Sequence, residues 1–154
     1  MALDARDIAV QHVRPIHHPE AKAMKEYQDV YKTVGAFSWT ELTTSDPKAA
    51  TEFYAKLFGW QYDVMDMGQG NYHVLKADGV SVGGIMATPA DAKGMLPAWG
   101  AYVTVANTDA AAEKCKSLGG KLLAGPMDIP KVGRFAVLQD PQGAVFNVIA
   151  YSPS

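Results

Sequence analysis

From Gly35 to Thr44 the chain reads GAFSWTELTT, with apolar and polar positions alternating and aromatic and β-branched residues among them. That period of two predicts a strand on which Phe37, Trp39, Glu41 and Thr43 share one face. Asp46-Pro47 then marks a helix start: the Asp side chain accepts from free backbone N–H groups, and Pro needs no N–H in the first turn. Ala50, Phe53, Tyr54, Leu57 and Phe58 fall on one helical face, and Gly59 supplies the stop. Trp60 to Asp66 predicts a second strand and MGQGN a turn. Tyr72–Lys76 and Val80–Met86 predict a hairpin around Asp78-Gly79, a favoured tight-turn pair.

The stretch 88–97, TPADAKGMLP, has linker composition. After it the pattern returns. Trp99–Ala106 alternates, Asn107 or Thr108 caps a helix over Ala111, Cys115 and Leu118, and Gly119-Gly120 ends it. Lys121–Ala124 predicts a strand and PMDIPKVG a loop. Arg134–Gln139 and Ala144–Tyr151 make a last hairpin around Asp140-Pro-Gln-Gly143. The order β-α-β-β-β therefore occurs twice, in modules 34–88 and 98–151 of one unit spanning 34–151. Such a unit cannot bury its sheet alone, so the two copies must pack together.

Residues 1–33 differ from both copies. They hold His12, His17 and His18 and end in PEAKAMKEYQDVY, where Met24, Tyr27, Val30 and Tyr31 recur at helical spacing behind Pro19. They predict an arm and an amphipathic helix that docks on its own domain or on a second subunit.

Composition narrows the classes. A chain of 154 residues with 48% hydrophobic and 19% charged content is an ordinary globular chain. A formal net charge of -2 lacks the basic surface that nucleic acid demands. No apolar run approaches the roughly 18 residues of a membrane span, and MALDARDIAV lacks a signal-peptide core. The single Cys115 excludes an internal disulfide and a cysteine metal cluster. A cytoplasmic protein is expected. No Ser/His/Asp triad stands out, and GQGN and VGGI lack the strand-to-helix setting of a nucleotide-binding loop.

The duplicated order, with FYAKLFGW closing the first helix and DPQGAVFNVI in the last hairpin, resembles the vicinal oxygen chelate superfamily of glyoxalases, bleomycin-resistance proteins and extradiol dioxygenases. The resemblance covers residues 34–151. It implies an α+β fold whose two modules curl a mixed sheet into a cup around a central cavity, commonly as a homodimer. It also implies a divalent metal held by the first and last strands of each module. The matching ligand positions here carry Trp39, Gly100 and Asn147, and Val80–Met86 offers no His, Asp or Glu. Catalytic divalent metals take imidazole or carboxylate donors, so the usual site is missing from the sequence.

The expectation is thus a metal-independent protein with no cofactor, binding a small organic molecule between its modules. Phe37, Trp39, Tyr102, Thr104, Arg134 and Asn147 are the candidate ligand contacts; Phe37 and Trp39 serve equally as core filling, and Arg134 as a surface residue. Glu41 is the candidate general base. If it points inward it needs Arg134, Tyr102, His73 or a ligand beside it; the alternative is a solvent-facing strand position. The competing reading is a lyase, isomerase or dioxygenase that uses a divalent metal ion or Glu41.

Overall fold

The computed structural model describes residues 29–68 and 70–153. His12, His17, His18 and most of the helix expected after Pro19 lie outside those residues. Its last part, residues 29–33, forms turns.

Among the described residues eight strands and two α-helices follow in the expected order: β1 (Phe37–Thr44), α1 (Pro47–Phe58), β2 (Gln61–Asp66), β3 (Asn71–Ala77), β4 (Val80–Ala87), β5 (Ala98–Thr104), α2 (Thr108–Ser117), β6 (Lys121–Ile129), β7 (Gly133–Gln139) and β8 (Val145–Tyr151). The local signals act as read. Asp46 accepts from the Ala49 N–H at 3.0 Å, Pro47 occupies the first turn, and Gly59 closes α1 at φ 70°. Asn107 caps α2 through the Ala110 N–H at 2.9 Å.

The strands form one mixed sheet in the order β2-β3-β4-β1-β5-β8-β7-β6. Within each module the first strand pairs parallel with the last, and the modules join where β1 runs antiparallel to β5. Leu42, Leu75 and Ile85 pack beneath Ala50 and Tyr54 of α1. Ala136, Leu138 and Val148 pack beneath Ala111, Ala112 and Cys115 of α2. Leu42 stands opposite Trp99, and Val103 opposite Val148, so both cores lie on one face of the sheet. The two helices therefore cover the same side. Residues one position out of phase emerge on the other side, which no described helix covers.

Three expectations need correction. A register shift between Phe37 and Trp39 sets Phe37 opposite Val103 but Trp39 opposite Tyr102. Such a bulge breaks the two-residue period, so Phe37 leaves the face of Trp39 and is 72% exposed. The stretch read as a loop from Pro126 remains in β6 as far as Ile129, with Met127 opposite Phe135. β6 is an edge strand, where the missing N–H of a proline breaks no ladder bond. On α1, Phe53, Leu57 and Phe58 are more than half exposed, so the sheet covers only part of the apolar helix face.

Candidate functional site

Glu41 sits at the junction of the modules, between Gly84 of β4 and Gly100 of β5. Two phenols from different modules hold its carboxylate. Tyr72 donates to Oε2 at 2.8 Å and Tyr102 to Oε1 at 3.0 Å. Trp39 Nε1–H in turn donates to the Tyr72 oxygen at 2.9 Å. An indole, two phenols and a carboxylate thus form one connected cluster on the helix-free face.

The glycines make room for it. A Cβ at Gly84 would overlap the Tyr72 ring, and one at Gly100 would stand 3.0 Å from Asn147 Nδ2. Asn147 faces Tyr102 across the β5–β8 ladder and donates to the Ala101 carbonyl at 3.4 Å. Phe135, two strands from β5, brings its ring centroid within 6.2 Å of Tyr102. Further along β8, Tyr151 donates to Ser38 Oγ at 2.8 Å.

Burial pushes the Glu41 pKa above the ordinary value of 4.5, while the Tyr72 and Tyr102 hydrogen bonds pull it back. Burial, reinforced by the neighbouring Glu41 charge, raises both phenols far beyond their usual range. They remain neutral donors at any working pH.

The candidate residues divide. Trp39, Glu41, Tyr102 and Asn147 come together. Thr104 shares their side but is buried, its hydroxyl donating to the Val30 carbonyl at 2.6 Å. Arg134 is on the other side. It stands opposite Ala150, forks onto Asp109 of α2 at 2.7 and 3.1 Å, and reaches Asp128 at 3.1 Å. That pairing holds the Asp109 carboxyl below the usual range. His73 also points away from Glu41, opposite Ile85, with its ring 5.7 Å from Tyr62. Tyr72 was missing from the candidates. Its signal was faint: an aromatic in an alternating strand, facing the Gly83-Gly84 pair of the next strand.

The donors on this face do not fit a divalent metal. The positions expected to hold the metal carry an indole (Trp39), an amide (Asn147) and a glycine (Gly100), and one carboxylate, Glu41, stands near them without imidazole or carboxylate partners. Among the described residues no three His, Cys, Asp or Glu side chains cluster closely enough to hold an ion. Two hollows lie on the helix side of the sheet. One of about 250 Å³ is lined by Thr40, Trp60, Leu75, Val82, Gly83 and Trp99, and one of about 300 Å³ flanks α2 beside Cys115 and Phe146. The Glu41 cluster therefore lies outside both. Among the described residues no helix is long and apolar enough to cross a membrane.

The family model described as Glyoxalase/Bleomycin resistance protein/Dioxygenase superfamily matches residues 36–148. The protein named "Putative glyoxylase CFP32" of Mycobacterium tuberculosis is 44% identical over 120 residues, covering 77% of this chain and 45% of its own length. Anthracycline biosynthesis protein DnrV of Streptomyces peucetius is 35% identical over 127 residues, 74% of this chain and 46% of its own. The chain thus spans about half the length of the curated relatives it matches. Among solved structures, methylmalonyl-CoA epimerase of Mycobacterium tuberculosis superposes with a TM-score of 0.56 at 17% identity, over 79% of this chain and 92% of that one. The Streptomyces coelicolor epimerase bound to 2-nitronate-propionyl-CoA gives 0.58 at 16%, over 79% and 100%. At such identities the likeness is one of fold.

Proposed function

The chain belongs to the glyoxalase/bleomycin resistance protein/dioxygenase superfamily, and from that premise we propose that it binds a small organic molecule, without a metal, on the face that carries Trp39, Glu41, Tyr72 and Tyr102. The observation that carries the reading is the cluster itself: a carboxylate fixed by one phenol from each module, with an indole bonded to one of those phenols. Apolar ring surface with a few fixed polar groups is the usual makeup of a small-molecule site. The relatives named for anthracycline biosynthesis support an organic ligand of this kind. The reading includes a cytoplasmic homodimer, for which the exposed Phe53, Leu57 and Phe58 supply apolar surface.

Nitrogen-15 correlation spectra of the three tryptophan indoles test this directly, with the Trp39 signal identified by its loss in Trp39→Phe. Ligands from a set of small aromatic metabolites should move the Trp39 signal, and Trp39→Ala should weaken their binding far more than it lowers Tm. Ligands that move only Trp60 and Trp99, behind the sheet, would overturn the placement.

Burial of Glu41 favours a second reading, a lyase or isomerase in which this carboxylate removes a proton from carbon. In that case Glu41→Gln keeps ligand affinity and loses turnover. A stoichiometric divalent ion in purified protein would instead move the reading to metal-assisted chemistry of the dioxygenase or lyase kind.

A further inference from the structure

We infer that the molecule taken up beside Glu41 is an organic cation: a protonated amine, or another positively charged nitrogen, on an apolar body. This rests on the small-molecule reading above and specifies its ligand class.

Facing Glu41 are Trp39 on its own strand, Tyr72 on β3, Gly84 on β4, Gly100 and Tyr102 on β5, and Asn147 on β8, with Tyr151 further along β8. Every one of them is uncharged. Among the described residues no lysine, arginine or histidine comes within ion-pair distance of this carboxylate. Cations of the flanking strands are engaged elsewhere: Lys76 with Asp63, and Arg134 with Asp109 and Asp128 on the far side of the sheet. Glu41 is thus a part-buried carboxylate hydrogen-bonded at both oxygens and balanced by no cation among the described residues.

Phenol donors orient a carboxylate and favour its ionised form, but they bring no positive charge. In aromatic surroundings water screens poorly, so an unbalanced anion attracts a cation strongly and repels a carboxylate or phosphate. The rings of Trp39 and Phe135 add the kind of surface over which a cationic nitrogen rests. An anionic substrate would find no described cation on this face to receive it. Burial that resists ionisation of Glu41 acts in the same sense, because an arriving cation relieves it.

The test uses the intact chain near neutral pH and three probes of one shape: phenethylamine (cation), 2-phenylethanol (neutral) and 3-phenylpropionate (anion). Each is titrated while the Trp39 indole signal is followed. The amine should bind at least about tenfold more tightly than the alcohol, and the carboxylate most weakly. That preference should vanish in Glu41→Gln, whose Tm reports whether the fold is intact. Arg134→Ala, on the far side of the sheet, should keep it and serves as a second control. Should the alcohol or the carboxylate move Trp39 as tightly as the amine does, the cation assignment fails while the small-molecule reading stands. A preference that survives Glu41→Gln also overturns it. If none of the three probes moves Trp39, both the assignment and the placement of the ligand on this face fall.

Discussion

The Tyr72 ring lies across Gly84, in the space a Cβ would need, and from there its hydroxyl reaches the Glu41 carboxylate at 2.8 Å. A glycine on β4 and a tyrosine on β3 together set the position of an acid on β1. Gly84→Ala should therefore displace Tyr72 and break its bond to Glu41. Overpacking of this kind costs about 1–3 kcal/mol, readable by urea denaturation. The Trp39 indole signal should shift in the same variant, since its acceptor has moved. A full-strength native spectrum in Gly84→Ala would refute the arrangement.

Removing the phenols one at a time tests the cluster's energetics. Hydrogen bonds to a charged group contribute about 1.5–3 kcal/mol, so Tyr72→Phe and Tyr102→Phe should each destabilise within that range. Because both act on one carboxylate, the double variant should deviate from additivity by about 0.5 kcal/mol or more. Each single change also removes an interaction that lowers the Glu41 pKa, so carbon-13 titration of that carboxyl should move further upward.

Glu41 gives stability a definite pH dependence. Its folded-state pKa lies above the ordinary 4.5, so the folded protein holds this proton more tightly than the unfolded chain does. The contribution is fully present below 4.5 and is lost as pH rises through the raised value. Glu41→Gln removes the titration. The Tm of the wild type relative to this variant should fall from acid to neutral pH, and a rising or flat difference would contradict the burial of the carboxyl.

The first βα unit was legible because its signals are local: the alternation of GAFSWTELTT and the cap at Asp46-Pro47 need no knowledge of neighbours. The site was only half legible because it depends on phase between strands. Trp39, Glu41, Tyr102 and Asn147 follow from counting in twos. Phe37 fails that count because of the bulge that follows it, and Tyr72 needed the β3–β4 register, which itself shifts between Leu75 and Lys76. Arg134, open between a ligand contact and a surface residue, is decided by phase. Its strand neighbour Phe135 points toward Tyr102, which sends Arg134 to α2.

Arg134→Ala is accordingly predicted to leave ligand binding at Trp39 unchanged. Its effect should appear at α2: the Asp109 carboxyl, freed of the guanidinium, titrates upward toward its ordinary value, and Tm falls slightly. Lost affinity for a Trp39-shifting ligand would show that the two faces communicate.

Metal removal provides a further check. Dialysis against a strong chelator should leave Tm and the Trp39 signal unchanged, and elemental analysis should find no stoichiometric divalent ion. A Tm that drops on chelation and recovers with added metal would reverse the reading.

The β1–β5 ladder is the seam along which the halves of the sheet meet, and Glu41 is fastened from both banks of it, by Tyr72 on one and Tyr102 on the other. Whatever tugs on that acid tugs on the stitching itself. On the proposed reading, a guest molecule held at Glu41 would bear on both banks at once, as a rivet as well as a passenger.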